Sequence, residues 1–200
     1  MKSVLISIQP KWCELIASGK KTVEVRRTKP KIDVPFKCYI YMTKCYDTLF
    51  GYGKPKKLNV DGGYVIGEFV CNRLTYIEAG YDTNGNKHLY NTAFIEHRMC
   101  IPDNDLHKYL YKDRDHCGGW AWHISDLVIY KKSKELSEFY VEGDCDCMNC
   151  KKCAWFDRGN GYNVEDDCNL AYKGADEHKS YKPIKRPPQS WCYCEERCDR

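Results

Sequence analysis

Gly19-Lys20-Lys21-Thr22-Val23-Glu24-Val25-Arg26-Arg27 is the stretch from which the rest of the chain can be read. Thr22, Glu24 and Arg26 alternate with Val23 and Val25, the two-residue period of a half-buried strand with a charged face. Glu24 and Arg26 therefore point the same way, and Lys21 enters from the preceding turn. A carboxylate flanked by two cations stays ionised and held in place, and those cations can also meet phosphate. Upstream, the spacing predicts a helix over Lys11–Ser18, with Pro10 suited to its first turn, Trp12, Leu15 and Ile16 on one side, and Gly19 as its stop. Val4–Ile8, before the helix, is a short β-like run.

Downstream, Phe36–Thr43 is rich in aromatic and β-branched residues and reads as a second strand. Tyr64–Cys71 reads as a third, with Gly67 marking a bulge or a close approach. Residues 44–63 are rich in Gly, Pro and Lys and read as an exposed loop, and the Asp82–Lys87 stretch turns. Asp103 or Asn104 is placed to cap a helix running to about Asp113. A glycine turn at Gly118 and Gly119 then leads to strands near Trp120–Ile124 and Leu127–Tyr130. The expected fold is mixed α/β, mainly β: a small barrel or sheet with short flanking helices.

The chain has 200 residues and a net charge of +4. Hydrophobic residues make up 42%, enough for a packed core. No apolar run reaches the roughly 20 residues of a membrane span, and Lys2–Gln9 is too short to be the apolar part of an export signal. A soluble, cytoplasmic chain is expected. Residues 1–60 hold 13 Lys/Arg against 4 Asp/Glu, a balance of +9 that leaves −5 for the rest. A basic N-terminal third suits an anionic partner such as nucleic acid, or else is a solvated lysine-rich face.

Gly19, Lys21, Glu24 and Arg26 match a G-x-K-x-x-E-x-R pattern, and with it the chain resembles the ASCH domain, a PUA-like family. The Trp-bearing segment Pro10–Gly19 before the motif and Glu68 in the strand Val65–Cys71 agree with that resemblance. Gly118–Tyr140 is similar to the last strands of ASCH proteins of phages and prophages. The resemblance covers about residues 1–140, and implies a PUA-like β-barrel and a role with RNA. It points to a cleft that joins Lys21, Glu24, Arg26 and Glu68 and binds RNA or a modified nucleotide. Trp12, Tyr41, Trp120 and Trp122 are candidates to stack on a base.

The alternative is a hydrolase using the same cleft, with Lys21, Glu24 and Glu68 as its chemical groups. One branch of the family resembles amidohydrolases acting on acetylcytidine through a lysine, a threonine and a glutamate. Here Glu24 stands where that threonine would, and a carboxylate is a far weaker acyl acceptor than an activated hydroxyl. Ribonuclease chemistry, with a lysine and a carboxylate as acid and base, is the other form of this alternative. A third is a phage-encoded protein-interaction module. His123 reads either as a base or, more simply, as a hydrogen-bonded structural residue.

Eight of the 14 cysteines fall in the last 56 residues. Residues 141–200 are accordingly expected to form a Cys-rich extension to a domain over 1–140. Cys147, Cys150, Cys153 and Cys168 have spacing suited to a structural zinc, with Cys192, Cys194 and Cys198 as substitutes. Eight cysteines also leave open an iron–sulfur cluster or unpaired thiols.

Overall fold

The computed structural model describes residues 2–44, 62–113, 116–143 and 180–196. Its first strand, β1 (Ser3–Ile8), is buried along its whole length, which explains a run without polar alternation. The helix α1 (Pro10–Ala17) begins with Pro10 in its first turn, where the missing N–H costs nothing. It ends in a Schellman motif: the Lys20 N–H bonds Leu15 O and the Gly19 N–H bonds Ile16 O, with Gly19 at φ +74°. That turn delivers the chain into β2 (Val23–Arg26), followed by β3 (Phe36–Met42), which runs parallel to β1. The α1–β2 excursion is the crossover that a parallel pair requires.

Two long strands form the middle of the sheet. β4 (Tyr64–Tyr81) and β6 (Gly118–Lys134) pair antiparallel, with three register shifts. Between them in sequence come β5 (Lys87–Tyr90), α2 (Glu96–Met99) and α3 (Asp103–Leu110). A short 3-10 turn at Leu136–Glu138 leads to β7 (Phe139–Gly143), and β8 (Ser180–Pro183) and β9 (Trp191–Glu196) complete the set. The order is β2-β6-β4-β3-β1-β9-β7-β8, with β5 on β4.

The chain is mixed α/β and mainly β, as expected, but the sheet is not closed into a barrel: among the described residues, β2 and β8 are its unpaired ends. The register shifts between β4 and β6 are bulges, which add local twist to the pair. β9 pairs with β1, so residues 191–194, within the Cys-rich C-terminal stretch, extend the main sheet. Cys192 and Cys194, named above as substitute zinc ligands, lie on β9 and pack with Leu5 and Phe139. Cys147, Cys150, Cys153, Cys168 and Cys198 lie outside the described residues.

Alternation along each strand divides the core. Val4, Ile6, Ile8, Cys38, Ile40, Phe69 and Trp122 gather under α1 on one face. Leu5, Tyr39, Tyr41, Phe139 and Ile184 gather on the other. A third cluster joins Val23, Val25, Ile77 and Ala121 to Met99, Leu106 and Leu110 of α2 and α3. At Gly67 a Cβ would stand 2.4 Å from Val128 O, so the expected close approach is real.

Candidate functional site

The polar face of β2 is buried beneath α1. Val23 and Val25 enter the core with α2 and α3, so Glu24 must face the other way, opposite Trp122 in the β2–β6 ladder. The Lys21 side chain has no exposed surface, that of Glu24 is 8% exposed and that of Arg26 11%. These charges, read from sequence as lying on a half-exposed strand face, are interior groups.

Lys21 Nζ donates to Met99 O at 2.5 Å, lies 3.4 Å from Glu24 Oε2 and sits 5.2 Å from the centre of the Trp12 ring. Met99 ends α2, where Cys100 takes the left-handed conformation and the last carbonyls lack helical partners. Lys21 therefore also caps α2. Glu24 Oε1 is 3.0 Å from Arg26 Nη2, which donates to Ser7 O at 2.5 Å. Arg26 Nε is buried and has no hydrogen-bond partner among the described residues. The indole N–H of Trp122, across the ladder from Glu24, is likewise buried and unpaired. Three buried charges thus sum to +1, and two donors in adjacent ladder positions are unspent. Burial pushes the thiol pKa of Cys13 far up; the Glu24 carboxylate adds to this and Arg26 opposes it, placing α1 against the cluster.

Two tryptophans flank this centre. Trp12 carries Lys11 Nζ 4.4 Å above its ring, and Trp120, opposite Arg26, carries Lys29 Nζ at 4.3 Å. Trp120 meets the exposed Tyr76 edge-on at 5.3 Å. Lys11 and Lys29 were not singled out from sequence, although each belongs to the basic N-terminal third.

Glu68 is not part of this cluster. It sits opposite Tyr39, on the face with Leu5 and Phe139, away from Trp122 and Glu24. Its carboxylate accepts from Lys37 at 2.8 Å and from Tyr130 at 2.5 Å. Burial alone would raise its pKa, but these bonds and the nearby Lys37 and Lys134 charges hold it below the usual carboxylate value. The same face carries Glu196, which accepts from Tyr39 and pairs with Lys134. Tyr41 also lies on that face, and so apart from Trp12 and Trp120.

His123 is buried, with Arg73 Nη2 3.2 Å from Nδ1 and Thr75 Oγ1 2.9 Å from Nε2. Arginine only donates, so Nδ1 is the acceptor and the proton sits on Nε2. Burial, then the Arg73 and Arg98 charges, push its pKa down to about 4. His123 is neutral at pH 7 and serves the sheet. Among the described residues no three His, Cys, Asp or Glu side chains gather as a metal would require, and no helix is long and apolar enough to cross a membrane.

The ASCH domain model matches residues 6–97. Three solved structures of the ASCH protein from Zymomonas mobilis are similar to the chain. A serine-to-alanine mutant aligns at 16% identity and TM-score 0.50, over 96% of this chain and 87% of that one. The unmutated protein aligns at 19% identity and TM-score 0.46, over 67% and 73%. A tyrosine-to-phenylalanine mutant aligns at 20% identity and TM-score 0.46, over 68% and 77%. The first of these likenesses, spanning nearly the whole chain, shows a shared fold. No curated protein matches the sequence.

Proposed function

We propose that this chain, whose residues 6–97 match the ASCH domain, binds RNA or a modified nucleotide at the Lys21–Glu24–Arg26 cluster. The observation that carries the proposal is the buried surplus of positive charge, with Arg26 Nε unpaired beside it. A buried donor without an acceptor costs about 1–3 kcal/mol, and an uncompensated buried charge costs more. A ligand carbonyl, ring nitrogen or phosphate oxygen relieves both. The free lone pairs of Glu24 accept from an amino or imino group, so a base edge offering donor beside acceptor fits better than a bare anion. Trp12 and Trp120 supply stacking faces, and Lys11 and Lys29 supply counter-charge for flanking phosphates.

The amidohydrolase form of the alternative needs Glu68 beside Lys21, and those side chains serve opposite faces of the sheet. Binding without turnover is therefore the favoured reading. From spacing alone we also propose a structural zinc at Cys147, Cys150, Cys153 and Cys168, tested by metal analysis of the purified chain.

Tryptophan fluorescence titrations with single-stranded RNA and with a panel of acylated and alkylated nucleosides test the binding proposal. Arg26→Lys keeps the charge and removes the planar fork. It should weaken the best ligand at least about ten-fold while the fold, followed by circular dichroism, is kept. Wild-type protein that binds no member of either set, or an Arg26→Lys variant that binds equally well, overturns it.

A further inference from the structure

We propose a second binding site, for a phosphate ester of nucleotide size, on the face of the sheet opposite the Lys21–Glu24–Arg26 cluster. A cleft of about 420 Å³ opens there, between the end of β3, the 3-10 turn and the β8–β9 connection. Its volume falls within the roughly 300–1,000 Å³ of small-ligand sites. Tyr41 and Leu136 form its inner wall, Thr43 and Lys44 one rim, and Lys185 and Pro187 the other.

The charge pattern selects the ligand. Lys44 and Lys185 come from distant parts of the chain into one cleft, and among the described residues no carboxylate lines it. On the same face Lys37 pairs with Glu68, and Lys134 with Glu196. Lys44 and Lys185 form no ion pair with any described residue. Two unmatched cations beside a hydroxyl, backed by apolar side chains, suit a phosphate that carries an organic group.

The cleft is also held in shape. Gly63 has φ +106°, and a Cβ there would come within 2.7 Å of Lys44 Cε and 3.2 Å of Cγ. The bare backbone of Gly63 is therefore the bed on which the Lys44 stem lies. Gly63 N–H bonds Met42 O and Thr43 N–H bonds Ile8 O, fixing the first rim. On the second rim, Ile184 N–H bonds Phe139 O, while the Ser7 hydroxyl bonds Pro188 O at 2.6 Å and Ser7 N–H bonds Ser190 O. A site whose walls are fixed before binding loses little ordering entropy when a ligand arrives.

Calorimetric titration of the full chain at low salt with uridine monophosphate, inorganic phosphate and uridine tests the site. The monophosphate should bind most tightly, inorganic phosphate more weakly and uridine least. Lys44→Ala and Lys185→Ala should each weaken the monophosphate at least about ten-fold. Gly63→Ala should weaken it by displacing Lys44 with no change in charge. Lys87→Ala, which removes an exposed lysine from β5, should leave it unchanged. Monophosphate binding that survives both cleft variants lies elsewhere and overturns the proposal. So does a loss as large in Lys87→Ala, which would mark diffuse attraction, or the absence of monophosphate binding in the wild type.

Discussion

Glu24→Gln is the sharpest perturbation of the buried cluster. It preserves volume, removes the negative charge and replaces one of the two acceptor oxygens with an NH2 donor. Glu24 now holds Lys21 at 3.4 Å and Arg26 at 3.0 Å, and these cations are 0% and 11% exposed. Without the carboxylate, two cations remain in the interior with no counter-charge. Removing one partner from a buried ion pair costs about 3–5 kcal/mol. For a chain of this size each kcal/mol lowers the melting temperature by roughly 2–4 °C, so a fall of about 10 °C is expected. Urea denaturation followed by circular dichroism measures the free energy directly. Adding Lys21→Met to Glu24→Gln removes one surplus cation and should recover part of the loss, giving a coupling energy that additive, independent sites would not show. A Glu24→Gln variant within about 0.5 kcal/mol of wild type would refute the reasoning, because the charges would then be solvated separately.

His123→Gln probes the pH dependence of stability. Because the folded pKa of His123 is about 4, against 6.5 unfolded, the unfolded chain binds more protons between those values. The stability this histidine contributes is full above pH 6.5 and is lost as pH falls toward 4, by up to ~3 kcal/mol. Urea melts between pH 7 and pH 4 should show a shallower decline in the variant; an identical decline would sink the assignment. Gly67→Ala should cost about 1–3 kcal/mol, because its Cβ would press on the backbone carbonyl of Val128, which cannot rotate away as a side chain does. An unchanged melting temperature would mean that the β4–β6 ladder shifts freely there.

How much of this fold could be read from sequence depends on where the strands bulge. α1 was legible because proline and glycine punctuate it and both act locally. β4 was read as ending at Cys71, yet it runs to Tyr81. The cause is the register shift between Cys71 and Arg73: Phe69 and Cys71 face α1, whereas Ile77 and Ala79, at the same parity, face α2 and α3. One extra residue reverses the side-chain alternation, so one strand presents two incompatible patterns. β6 does the same around Asp126, which takes φ +48°, and so reads as two strands. Gly118 and Gly119, read as a turn, begin β6.

The same rule bears on the site. Lys21, Glu24 and Arg26 were legible as a group because they lie within six residues and no bulge separates them. Glu68 joins that group only through a resemblance that carries chemistry but not strand parity. Its neighbour Phe69 faces the α1 core, so Glu68 must face Tyr39, Tyr130 and Glu196. Burial was the other feature that local sequence does not carry. Lys21 is interior because Met99, 78 residues away, brings a carbonyl to its ammonium group. Ser7 does the same for Arg26. Both acceptors are backbone atoms and leave no residue-type signature. A charged motif on a strand can thus be recognised from its spacing, while whether it is a wet surface or a dry, donor-rich cluster is decided by carbonyls supplied from elsewhere in the fold. Among the described residues Arg26 Nε and the Trp122 indole N–H are left without an acceptor, and that deficit is what the proposed ligand would fill.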